Sequence, residues 1–285
     1  MERTTGTYVV TRSLGEEVCA FVPAPLPPIP PITLDQDAQN LLHAAETALA
    51  HLQLACELVP SPGWFIYGFV RKEAVLTSQI EGTQATLEDL LTHEAETPKK
   101  PAADHPAQEV CNYLDALGFA REQLLDSRGL PLSLSLLRSP LLYVSLYFKQ
   151  HRSEYYRRLD AVRASGDWEG WNRFFLEGIA TIASQAIESA RDLYALYNED
   201  RKRLLAQERT SVPALRLLEY LPVHPLLTVA QAMDLLQSTR PTTTKAISLL
   251  VDLGILEERS GRRRGRTYAY GPYLDRLSQG TELEG

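Results

Sequence analysis

The sequence predicts a mostly α-helical protein that ends in a small α+β unit. Three observations predict this. Between residues 34 and 207, apolar residues recur at spacings of three, four and seven, the repeat that turns one side of a helix toward a core. Gly and Pro cluster there at a few points only, so the helices they punctuate are long. After Thr210 the pattern shortens into three brief helical runs, followed by two β-rich stretches around a basic turn.

The bulk numbers set bounds. A chain of 285 residues has room for one large domain or two to three smaller ones. Hydrophobic residues at 44% and charged residues at 23% are ordinary for a globular protein. A net charge of -7 means that any contact with nucleic acid must be local. Cys19, Cys56 and Cys111 are odd in number and far apart, which predicts a reducing compartment without disulfides or structural zinc. No apolar run reaches the ~18 residues of a membrane span, and MERTTGTYVV lacks the apolar stretch of a signal peptide, so a soluble, cytoplasmic protein without membrane contact is expected.

Taken in order, residues 1–33 form an extended arm. Tyr8, Val9 and Val10 make a short alternating segment, and the prolines between Pro23 and Pro31 forbid helix and favour polyproline geometry. The arm lies along the domain or offers a docking site to a proline-recognising module. Residues 34–106 form the next unit. Leu34 to Val59 is a helix on the stripe Leu41, Leu42, Ala45, Leu49, Leu52 and Cys56, ended by Pro60 and Pro62-Gly63. His43 and His51 have no ligand set beside them and read as surface residues. Trp64 to Phe69 enters a long helix from Arg71 to His93, with Ala74, Val75, Ile80, Leu87, Leu90 and Leu91 as its apolar positions. Gly82 inside that run costs ~1 kcal/mol against Ala and calls for a helix break or the close approach of another group. Glu94 to Pro106 reads as a loop.

Residues 107–207 are helical in pattern. Ala107 to Leu125 carries Val110, Tyr113, Leu114, Leu117 and Phe119 to Leu125, and Gly129-Leu130-Pro131 breaks it. Leu141 to Phe148 is apolar. Asp167, Trp168 and Trp171 open a helix continued by Phe174, Phe175, Ile179, Ile182, Ala186 and Ile187. Leu193 to Leu205 reads as a separate connecting helix, with Glu199 to Arg203 on its exposed side. Residues 208–285 follow the order helix, helix, turn, helix, hairpin: Val212–Leu221, then Thr228–Leu236 with Thr228 as N-cap, then Pro241–Leu253 closed by Gly254. Ile255–Arg259 and Arg266–Tyr270 are the strands around the turn Ser260–Gly265. That order is a winged helix-turn-helix. In its third helix Ala246, Leu249, Leu250 and Leu253 face inward, leaving Thr242, Thr243, Lys245 and Ser248 outside. From Arg240 to Arg276 eight basic residues stand against four acidic ones, a local excess of +4 in an acidic chain. A recognition helix in the major groove with basic residues on phosphate would use Arg240, Thr242, Thr243, Lys245, Arg262, Arg263, Arg264 and Arg266. Winged helices also serve as protein-interaction or dimerisation modules, and fold alone does not decide between them.

Within residues 34–106, Thr77-Ser78-Gln79-Ile80-Glu81-Gly82 fits [S/T]-x-x-x-E-[G/N], with Thr77 and Glu81 four apart on one helix face. The motif and its flanks RKEAVL and TQATLEDLL resemble the inhibitory helix of Fic proteins, which transfer AMP from ATP to a hydroxyl of a target protein. The proline-bearing arm and Glu109-Val110-Cys111-Asn112-Tyr113 resemble the same family. The resemblance implies an N-terminal domain in which Thr77, Glu81 and Gly82 form the inhibitory motif. In the family the glutamate pairs with an active-site arginine and obstructs ATP, and intact members use ATP and Mg.

The resemblance also implies a catalytic block, H-x-F-x-[D/E]-G-N-G-R-x-x-R, whose histidine is the general base and whose glycine turn and helix N-terminus hold phosphates. This chain has no Gly-Asn-Gly, and neither His105 nor His224, each followed by Pro, has Phe two residues on. GLPLSLSLL runs through Arg138 into SPLLYVSLYFKQHRSEYY, so the join near Leu137–Arg138 resembles an internal deletion. His151, Arg152, Arg157 and Arg158 beside Glu154, Tyr155 and Tyr156 read as a charged helix face and not a replacement site. The expectation is a truncated family member without catalytic residues, bound metal or cofactor. It would act through protein or DNA bound by the winged helix, or through a second copy of the chain. Adenylyl transfer would return only if another chain supplied the missing block. Helices that once packed on that block keep their apolar faces, each exposed leucine costing ~1.5–3 kcal/mol.

Overall fold

The computed structural model describes residues 3–13, 16–58, 62–96, 106–125, 142–208, 210–261 and 265–283. The loop expected over Glu94 to Pro106 and the join at Leu137–Arg138 fall largely or wholly outside them, as do Arg262, Arg263 and Arg264. The described chain is mostly helical, with two small antiparallel sheets.

The N-terminal segment is more ordered than its sequence suggests. Strands β1 (Gly6–Ser13) and β2 (Glu16–Pro23) pair antiparallel into a hairpin, Val9 opposite Ala20. Tyr8, Val9, Val10, Val18 and Val22 are all exposed, so no buried face imposes the alternation that would have marked the second strand. Arg3 pins the proline stretch to the body: its guanidinium donates to the carbonyls of Pro30, Pro31 and Gly166 and to both carboxylate oxygens of Glu169.

Helix α1 (Gln36–Leu58) lies along α7 (Trp168–Leu205), the longest element. Asp167 caps α7 by accepting from Gly170 N–H, and nothing in the Ala-rich stretch from Ala180 to Ala195 interrupts it. The expected boundary before Leu193 is therefore absent. Nor does Glu199–Arg203 lie wholly outside: Asp200 is 1% exposed, accepting from the Tyr270 hydroxyl at 2.7 Å and from Arg203 at 2.7 Å. A carboxylate is buried only where such partners replace water.

Helix α2 (Pro62–Ile80) packs with α3 (Leu87–Glu96), α4 (Pro106–Leu125) and α5 (Ser145–Gln150), α3 also packs on α4, α5 reaches α7, and α6 (Arg152–Ser165) lies on α7 with no buried residue. On α4, Val110 is buried, but Tyr113 and Phe119 are 42% and 65% exposed, against the expected inward stripe. These are faces that the described residues leave uncovered.

The C-terminal elements run α8 (Val212–Tyr220), β3 (Leu226–Thr228), α9 (Val229–Leu236), α10 (Arg240–Asp252), β4 (Glu257–Glu258), β5 (Thr267–Ala269) and α11 (Gly271–Leu277). Thr228 caps α9 in a reciprocal pair with Gln231, as its position predicts. Strand β3 joins the expected hairpin as a third member, in the order β3-β5-β4. Helix α11 returns the chain to α7 and α2, so one contiguous set of buried apolar residues runs from Ala48 to Leu277.

Candidate functional site

The T-S-Q-I-E-G segment is a helix end. The amide of Gly82 donates to Gln79 C=O at 3.1 Å and that of Thr83 to Ser78 C=O at 3.0 Å. This pair of bonds is a Schellman closure with Glu81 as C-cap and Gly82 at the following, left-handed position, φ +104°. Nothing lies within 4 Å of where a Gly82 Cβ would stand, so the glycine serves backbone conformation and not close approach. The predicted Arg71–His93 helix is therefore two helices. Thr86 and Asp89 start the second, the threonine amide donating to the aspartate at 2.9 Å and the Asp89 amide donating back to the hydroxyl at 3.1 Å. Arg71 and the Tyr67 hydroxyl both donate to Glu94, fastening α2 to α3.

Thr77 and Glu81 part company at this turn. Thr77 faces α5, its hydroxyl 2.9 Å from that of Ser145, which donates to Glu73 at 2.7 Å; the Ser145 amide adds a second bond at 3.3 Å. Glu81 is exposed. Around it, Arg152 and the Tyr156 hydroxyl of α6 donate to Ile80 C=O at 3.4 and 3.2 Å. Arg157 and Arg158 both engage Glu154, whose carboxyl they hold at about 2, so the charged face expected on α6 is what forms. Burial acts strongly behind the motif. It pushes the Glu73 carboxyl from its ordinary 4.5 up to about 7, against the lowering effect of the Ser145 bonds. It brings Lys72, 3% exposed and 4.7 Å above the Tyr143 ring, down to about 8.

Sequence reasoning missed Gln79. Its side chain is 8% exposed, and its amide donates to Ala85 C=O at 2.7 Å and Thr281 C=O at 2.8 Å while its oxygen accepts from Lys149 at 2.8 Å. The available signal was a polar residue three and four positions beyond buried Leu76 and Val75, on the stripe where only satisfied polar groups persist. The cleft beside it, lined by Gln79, Ile80, Thr83, Gln84, Lys149, Arg152 and Leu283, encloses about 80 Å³. That is well below the ~300–1,000 Å³ of a typical small-molecule site. A wider groove of about 430 Å³ lies between α1 and α7, lined by His51, Leu54, Ala55, Ser184, Ile187, Glu188 and Arg191, none of them in the motif. Among the described residues no three His, Cys, Asp or Glu side chains gather as metal ligands.

On the second candidate surface, Arg240, Thr242 and Lys245 are exposed on α10. Thr243 is not. It is fully buried, its hydroxyl donating to Thr239 C=O at 3.1 Å, while Ile247 joins Ala246 and Leu250 in the core. Arg266 is exposed and paired with Glu258 at 3.3 Å; Arg259 pairs with Glu257 at 2.6 Å and Glu88 at 3.6 Å. The acidic residues beside the hairpin thus offset part of its positive charge.

The fold and this helix end define a mostly helical protein whose N-terminal helices display a short glutamate-glycine cap. Residues 39–122, from within α1 to within α4, match the family model for the Fic/DOC family N-terminal region. By that region, less than a third of its length, the chain is similar to Fic/DOC proteins. No described helix is long and apolar enough to cross a membrane.

The Glu73 environment has a measurable consequence. A carboxyl that binds its proton more tightly folded than unfolded stabilises the fold fully below its unfolded pKa. That stability is lost as pH rises from ~4.5 through about 7. Glu73→Gln removes the titration, so urea midpoints at pH 5 and pH 8 should differ less in the variant than in the wild type. Equal differences would show that Glu73 is not held in this way.

Proposed function

We propose that this chain is a catalytically inactive Fic-family protein that keeps the inhibitory helix and acts by binding through its C-terminal unit. The observation that carries this reading is the pairing of an intact, capped Thr77–Gly82 motif with a sequence that contains no G-N-G-R turn and no H-x-F. The glutamate cap stands exposed, and the arginines of α6 nearest the motif are engaged by Ile80 C=O and Glu154. Labelled ATP tests it. Neither the wild type nor Glu81→Gly should transfer AMP to itself or to lysate proteins above background. Labelling by Glu81→Gly alone would revive the family activity, and labelling only after a catalytically competent homologue is added would favour a block supplied by another chain.

The C-terminal unit is read as a winged helix, in which α9 and α10 are the helix pair and β4–β5 the wing. Exposed Arg240 in the first turn of α10, with exposed Thr242 and Lys245 three apart on one face, favours duplex DNA as its ligand, and the acid-paired Arg259 and Arg266 favour a weak, phosphate-dominated contact. Full-length protein should bind random duplex DNA at low salt, and replacing Arg240 and Lys245 by Ala should lower the slope of log K against log salt by about 0.9 for each phosphate no longer neutralised. Absence of binding at low salt would leave a protein-interaction module.

A further inference from the structure

We infer that the segment Ser278–Leu283 is a strap that holds the glutamate cap in place and couples it to the C-terminal unit. Two anchors make the joint, buried Gln79 and half-buried Lys149. Gln79, inside the motif, uses both amide hydrogens, one on Ala85 C=O in the turn after Gly82 and one on Thr281 C=O in the strap. Lys149 of α5 donates to the Gln79 side-chain oxygen and to the carbonyls of Gly280 and Glu282. The strap thus lies across the end of α2, with one amide and one ammonium stitching three separate parts of the chain.

Its own conformation fits the role. Gly280 has φ +85°, and a Cβ there would stand 2.6 Å from a Leu146 methyl, so strap backbone seats directly on α5. The Thr281 hydroxyl donates to Ser278 C=O at 2.7 Å, and Thr281 is 1% exposed. Polar groups buried this deeply lose their partners only together. If the strap lifts, Gln79 and Lys149 each lose acceptors at once, and the turn held by Gln79 through Ala85 is released with them. The strap follows β5 and α11 without a further element between, so a displacement of the hairpin has a short covalent path to Glu81. This inference does not depend on what the C-terminal unit binds.

Hydrogen exchange tests it without requiring any activity. The amides of Glu81, Gly82 and Thr83 are bonded within the cap. Deleting residues 280–285 changes no residue of that cap, yet exchange across 80–86 should rise, by roughly tenfold or more if the strap holds the turn closed. Lys149→Met, which keeps the strap but removes its cationic anchor, should raise exchange in 80–86 and 278–283 together. Peptides from α8 to α10 should stay unchanged in both variants. If the deletion variant does not fold, the Lys149→Met result decides. Unchanged exchange in 80–86 with the strap removed, or loosened alone, would overturn the proposal.

Discussion

The structure depends on one long helix. Helix α7 carries buried residues on one side from Phe174 to Leu204, first against α1 and α5, then against α8 and α11. Its far end buries Asp200, which is satisfied by Arg203 one turn on and by the Tyr270 hydroxyl, seventy positions later. A buried carboxylate with one partner removed is costly, by ~1–3 kcal/mol or more. The C-terminal unit is therefore not free to detach from α7 without exposing that pair, and the frame behind the motif is set by a contact remote from it.

On this frame the motif occupies an end and not a middle. Glycine at φ +104° stops α2, leaves Glu81 as the last cap residue, and turns the chain toward Thr86. The faces of Thr77 and Glu81 then have different employments. One closes a half-buried hydroxyl–carboxylate chain with Ser145 and Glu73; the other stands in solvent. In the proposed reading the glutamate keeps the geometry of a lock while the sequence lacks the arginine-bearing block it would close.

Much of the fold was legible because its signals are local. Thr228 with Gln231, Asp167 before Trp168, and Gly254 after α10 each act within a few residues, where spacing carries the information. Long-range pairings were not legible. Asp200 sits in a charged run, and beside its local partner Arg203 its burial relies on the remote Tyr270 hydroxyl. Thr243 resembles its exposed neighbours, but its hydroxyl bonds one turn back, so it can enter the core without an unsatisfied group. The hairpin β1–β2 escaped because neither of its faces is buried. At the candidate site, Glu81 and Gly82 were visible as a motif, whereas Gln79, Ser145 and Lys149 gain their roles only when α5 and the segment after α11 arrive.

In the proposed reading, this chain presents a Fic-like inhibitory helix without a nucleotide site to inhibit. Thermal unfolding of the full-length protein with and without Mg-ATP tests it directly. A ligand at one hundred times its Kd stabilises a fold by about 2.7 kcal/mol, which would raise Tm by several degrees in a chain of this size. No change in Tm is expected for the wild type or for Glu81→Gly at millimolar Mg-ATP. A saturating, magnesium-dependent rise in either would contradict it.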